Sequence, residues 1–141
     1  MAVRSRKLTA IDYRALADFR YQIRRFLHFS EKAARDAGIQ PQQHQLLLAL
    51  KGTDPAAEPT IGHIAARLHL RHHSVVELAD RLSELGFIRK RRATNDRRRV
   101  LLEITARGDA LLRKLSIIHR AELKSLRAAL IKSLDELIHE K

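Results

Sequence analysis

Between Asp12 and Ala37 the apolar positions Phe19, Ile23, Phe26 and Leu27 recur at steps of three and four. Ser30 and Ala34 continue that face, and Gly38 supplies a left-handed stop. This spacing predicts one long amphipathic helix. Pro41 suits the first turn of a second helix, whose run Leu46-Leu47-Leu48-Ala49-Leu50 reads as largely buried. The stretch Gly52-Thr53-Asp54-Pro55-Ala56-Ala57-Glu58-Pro59 is a loop by composition. Thr60 is then placed to cap a short helix that turns Ile61, Ile64, Ala65 and Leu68 inward. A turn at His69–His73 leads to a further helix with Val75, Leu78, Leu82 and Leu85 as its buried stripe, ended by Gly86.

The period then changes. Phe87–Arg92 and Arg99–Ile104 read as two short strands, the second alternating Val100, Leu102 and Ile104 against Leu101 and Glu103. The Asn95-Asp96 pair between them is expected to make the turn. Thr105 caps a final helical region with one apolar stripe at Leu111, Leu112, Leu115 and Ile118 and another from Leu123 to Leu137. A break into two helices is expected near Ser125–Arg127. The predicted fold is mainly α with a small β-hairpin wing: a winged helix-turn-helix with flanking helices forming a dimerisation region. It divides into an N-terminal helix (1–40), the winged region (41–108) and C-terminal helices (109–141), as parts of one compact domain. A recognition helix of about 15 residues fits the major groove, while a basic hairpin reaches the neighbouring minor groove or backbone.

Charge bears on the same region. The 141 residues hold 28 Lys and Arg against 16 Asp and Glu, a formal net charge of +12. Residues 87–108 contain eight basic and two acidic groups, whereas elsewhere basic and acidic residues are interspersed. Such a concentration marks a phosphate footprint. A membrane surface would call for a basic amphipathic helix, not a basic hairpin. No apolar run approaches the roughly 20 residues of a membrane span, and the basic start Met1 to Leu8 has no apolar segment after it. Cysteine is absent, which excludes a thiolate metal site, a thiol nucleophile and direct thiol redox sensing. Aromatic residues make up 4% with no Trp, which disfavours a base-stacking platform for single strands. A cytoplasmic protein with a polyanionic partner is expected.

Three stretches resemble one family. Thr60-Ile61-Gly62-His63-Ile64-Ala65-Ala66-Arg67-Leu68 is similar to the helix that opens the helix-turn-helix of MarR-type transcriptional regulators. Leu78 to Ile88 resembles the end of their recognition helix. Asn95-Asp96-Arg97-Arg98-Arg99-Val100-Leu101-Leu102-Glu103-Ile104-Thr105-Ala106-Arg107-Gly108 resembles their wing, where an Asp-x-Arg turn precedes a strand and a Leu-Thr-x-x-Gly helix start. The resemblance implies a homodimer with interlocked terminal helices, a pseudo-palindromic duplex DNA operator and a small aromatic or anionic effector. Paired carboxylates and a recognisable nucleophile–base set are lacking, and no enzyme activity or cofactor is expected. The chain departs from the family pattern at Arg71, where Ser or Thr usually caps the recognition helix, and at His72 and His73, where other polar groups are common.

The candidate DNA-binding residues are Arg71, His72, His73, Ser74, Val76, Glu77 and Arg81 on the recognition helix, with Asp96, Arg97, Arg98 and Arg99 on the wing. His and Ser can donate to base edges, and Val76 can meet a thymine methyl. Asp96 can pair with Arg98 or cap the turn and so aim the guanidinium outward, while Arg97 and Arg99 are expected at phosphates. Phe26, Phe29 and His44 are candidates for an effector pocket. Leu8, Ile11, Leu123, Leu126, Leu130, Leu134, Leu137 and Ile138 are expected at the dimer interface, because so short a chain can hardly cover them itself. His63, His69, His72 and His73 lack the order and the carboxylates of a metal site, and no metal is expected. The leading expectation is a sequence-specific, double-stranded DNA-binding transcriptional regulator acting as a homodimeric repressor released by a small molecule. A non-specific architectural DNA-binding protein and a His-cluster metal-dependent protein are the alternatives.

Overall fold

The computed structural model describes residues 7–138. Met1 to Arg6, part of the basic start considered above, lie outside the described residues, as do residues 139–141. In chain order the elements are α1 (Ala10–Asp36), α2 (Pro41–Lys51), α3 (Ile61–Leu68), α4 (His72–Glu84), β1 (Ile88–Arg92), β2 (Val100–Ile104) and α5 (Ala106–Leu137). The fold is mainly helical with one antiparallel hairpin, as expected.

Two helix starts obey local capping chemistry. The Thr9 amide donates to the Asp12 carboxylate at 2.8 Å, and the Asp12 amide donates back to Thr9 Oγ1 at 3.4 Å. This reciprocal pair moves the start of α1 two residues ahead of the expected Asp12, and the Thr-x-x-Asp spacing was its signal. At α2, Pro41 takes the first turn and the Gln40 amide donates to Gln43 Oε1 at 2.8 Å.

Two compact units make up the chain. One comprises the residues up to Ser30 together with those from Ile118, and the other is Glu31–Ile117. The second unit holds the core of Leu46, Leu47, Ile64, Val75, Leu82, Ile88 and Leu102. On α4 the buried stripe is Val75, Ala79 and Leu82. Leu78 is only half-buried and Leu85, the C-cap residue, is exposed, so the expected stripe is rotated toward the small Ala79. In the first unit Ala15 and Leu126 are buried, and Ser30 meets His119 Nε2 at 2.8 Å.

Two further expectations change. The final helix does not break near Ser125–Arg127: α5 is one helix of 32 residues. No Gly or Pro interrupts Asp109–Leu137, and Ser125 Oγ donates to the Glu122 carbonyl inside the helix at 2.9 Å. Leu126 is 1% exposed within a single chain, so it presents no free surface to a partner, unlike Leu8, Ile11, Leu123, Leu134 and Ile138, which are exposed. The strict alternation expected of β2 also fails, since both Leu101 and Leu102 are buried. The reason is a neighbour on the far side of the hairpin: Thr60 bridges Leu101, and the Leu102 amide donates to the Pro59 carbonyl at 2.9 Å.

Candidate nucleic-acid interface

The interface is built from the turn between α3 and α4, the first turns of α4, and the wing. Thr60 caps α3, its hydroxyl accepting from the His63 amide at 3.1 Å. His69 closes α3 in the left-handed region at φ 54°, and the Leu70 amide donates to the Ala65 carbonyl at 3.0 Å. That tight closure leaves only Leu70 and Arg71 before α4, whose N-cap is Arg71 with no side-chain cap. The expected His69–His73 turn is thus shorter, because His72 and His73 already belong to the helix. Thirteen residues give α4 a length of about 20 Å.

The wing pairs Ile88 with Ile104 at its base and Arg92 with Val100 toward its tip. The hairpin reversal runs from Asp96 to Arg99, where the Arg99 amide donates to the Asp96 carbonyl at 3.1 Å. Asp96, of the Asn95-Asp96 pair expected to make the turn, opens it. Its carboxylate accepts from the Arg98 amide at 3.0 Å and lies 3.6 Å from the Arg98 guanidinium. Both roles considered for Asp96 are therefore present together. The Arg98 side chain is 95% exposed despite this contact.

Four other wing cations also have partners. Lys90 pairs with Asp80 of α4, and Arg99 pairs with Glu58 of the loop before α3. Arg91 Nε lies 3.7 Å from Glu103, and Arg92 donates to the Arg97 carbonyl at 2.9 Å. The sequence reading missed Glu58, Asp80 and Lys90, because no local spacing announces a pairing between separate elements.

A cavity of about 450 Å³ lies between α4 and the wing, lined among others by Thr60, His72, Val76, Lys90, Arg98 and Arg99. It brings together two of the candidates on α4 with two on the wing. Arg97 lines a separate cleft at the wing tip with Arg92 and Thr94. Arg71, His73, Glu77 and Arg81 are exposed and Ser74 is half-buried, outside the lining of that cavity.

The effector candidates fall in different units. Phe26 and Phe29 belong to the unit that includes Ser30, and His44 to the other, where it is buried. Phe26 and Phe29 meet the edge or face of His119 with ring centroids 5.8 and 5.4 Å away. His119 was not foreseen, since nothing in the pattern of α5 marks it. Among the described residues, no three His, Asp or Glu side chains gather as a metal would require, and no helix is long and apolar enough to cross a membrane.

A MarR family model matches residues 37–99. The chain matches AbsC, a MarR family transcriptional regulator from Streptomyces coelicolor, with a TM-score of 0.72 at 19% identity, covering 94% of this chain and 92% of that one. It matches a mutant MarR from E. coli complexed with operator DNA, with a TM-score of 0.65 at 20% identity, covering 85% and 87%. A third match is CouR from Rhodococcus jostii bound to p-coumaroyl-CoA, with a TM-score of 0.61 at 20% identity, covering 79% and 82%. No curated protein sequence matches the chain. At these identities the solved structures establish the fold, and the family model covers less than half of the chain. The chain thus has a winged helix-turn-helix fold, and its residues 37–99 are similar to the MarR family.

Proposed function

We propose that the protein is a sequence-specific, double-stranded DNA-binding transcriptional regulator, a homodimeric repressor in the cytoplasm that a small molecule releases from its operator. The observation that carries this reading is the meeting of His72 and Val76 on α4 with the highly exposed Arg98 of the wing around one cationic concavity. The residues around α4's start, Arg71 to Glu77, read base edges in the major groove, and Arg81 reaches the backbone. Arg98 enters the adjacent minor groove, where a planar, weakly hydrated guanidinium is readily desolvated. Asp96 aims it, and Arg97 meets phosphate.

Residues 41–108 form the DNA-binding region in this reading, and residues 1–40 and 109–141 make the dimer. The exposed Leu8, Ile11, Leu123, Leu134 and Ile138, with the half-buried Leu130 and Leu137, support a dimer contact because leaving them in water forgoes their burial energy. The effector is a small aromatic or anionic compound near Phe26 and Phe29. The operator DNA on one relative and the coumaroyl thioester on another support the two kinds of partner. No enzymatic step is assigned.

The test is to select duplexes from a random pool with the purified protein and titrate the selected duplex against a scrambled one of equal length. Arg98→Ala is expected to weaken the selected duplex by about 1–3 kcal/mol. Equal affinity of the intact protein for both duplexes would replace this reading with a non-specific, architectural one.

A further inference from the structure

Arg99 of the wing is not free. Arg99 is bound by Glu58, which comes from the loop between α2 and α3 rather than from the hairpin or the recognition helix. Two backbone contacts already hold that loop against β2: Leu102 donates to the Pro59 carbonyl at 2.9 Å, and Thr60 bridges Leu101. An exposed ion pair formed by two mobile side chains is weak because both must be ordered. Here the backbone does much of that ordering, so Glu58 stands at high effective concentration beside Arg99 and competes well with any other anion.

On this basis we propose that Glu58 is a positioning and specificity-determining residue, which clamps the wing to the body through Arg99 and keeps that arginine's charge away from DNA phosphates. The inference rests on the DNA-binding reading above and revises one expectation drawn from the sequence: Arg99 is a tether, not a phosphate contact. Two consequences follow. The clamp fixes the hairpin just beside Arg98, so the exposed guanidinium is presented in one place. It also removes one cation from the sequence-independent attraction that every duplex offers, which widens the gap between the operator and other DNA. The Lys90–Asp80 pair has the same form on the opposite strand of the hairpin, joining β1 to the recognition helix.

The experiment uses the full chain, the duplex selected from a random pool, and a scrambled duplex of equal length, each titrated from 50 to 200 mM salt. Glu58→Gln keeps the shape of the side chain and removes its charge, so Arg99 is released. Its expected signature is tighter binding to the scrambled duplex, a salt slope steeper by about 0.9 for the one added phosphate contact, and a smaller preference for the selected duplex. Loss of fold alone would weaken both duplexes and would not steepen the slope. Arg99→Gln is expected to leave the salt slope on the scrambled duplex unchanged and to lower the preference. The charge swap of Glu58→Arg with Arg99→Glu is expected to restore part of that preference. An unchanged slope with Glu58→Gln, or a slope shallower by about 0.9 with Arg99→Gln, would overturn the proposal in favour of a plain phosphate contact. Arg98→Ala in the same titration separates the two failures. If it weakens the selected duplex while Glu58→Gln changes nothing, only the clamp is wrong; if it too changes nothing, the wing reading itself falls.

Discussion

Thr105 does two jobs with one hydroxyl. It donates to the Gly86 carbonyl at 2.6 Å and accepts from the Gly108 amide at 3.1 Å, which joins the end of the recognition-helix region to the start of α5. Gly108 completes the junction, because a Cβ there would lie 2.0 Å from the Phe87 carbonyl oxygen. The Thr-x-x-Gly spacing was legible as a helix start. The close approach was not, since Phe87 reaches Gly108 only once the hairpin has folded. Gly108→Ala is expected to destabilise the protein by about 1–3 kcal/mol in urea unfolding, the usual scale for forcing atoms into an occupied site. Thr105→Val removes the cap and is expected to cost about 0.5–2 kcal/mol in the same measurement. Arg107, whose guanidinium sits 5.0 Å from the Phe87 ring centroid, covers the junction from outside.

At the scale of elements, the periodicity located each helix and both strands, and erred where a neighbour decided the outcome. Two apolar stripes on α5 suggested two helices, yet a long helix can shift its buried face along its length without a break in its hydrogen bonds. Ser125→Ala should therefore change stability by no more than about 0.5 kcal/mol, whereas Ser125→Pro should cost about 3 kcal/mol or more and reduce helicity by circular dichroism. An equal tolerance for both substitutions would restore the expected break. Leu126→Ala, which empties a site buried within one chain, is expected to cost about 2–5 kcal/mol. The failed alternation of β2 has the same origin, because the Pro59–Thr60 segment pairs along the free edge of β2 where Leu101 and Leu102 lie.

For the whole molecule, the net charge of +12 pointed to a polyanion, and eight of its cations lie in residues 87–108. Folding distributes them unequally: Arg98 stays open, whereas Lys90 and Arg99 each meet a carboxylate from another element. The exposed apolar residues of the terminal segments belong to the same scale. In the proposed dimer, Leu134→Asp would place a charge in the interface. Sedimentation should then show a shift toward monomer, and affinity for the selected duplex should fall as two grips become one. A variant that remains dimeric would remove Leu134 from the interface.

The sequence by itself determined the order of elements, the winged helix-turn-helix, the turn chemistry of Asp96 and the cap at Thr105. Each depends on residues a few positions apart, where spacing and side-chain chemistry suffice. Only the tertiary structure decided that α5 is continuous, that Leu126 is already covered, that His119 sits against Phe26 and Phe29, and that Glu58 holds Arg99. Those facts depend on which distant residues become neighbours, and a charge or an apolar side chain does not name its partner until the chain has folded.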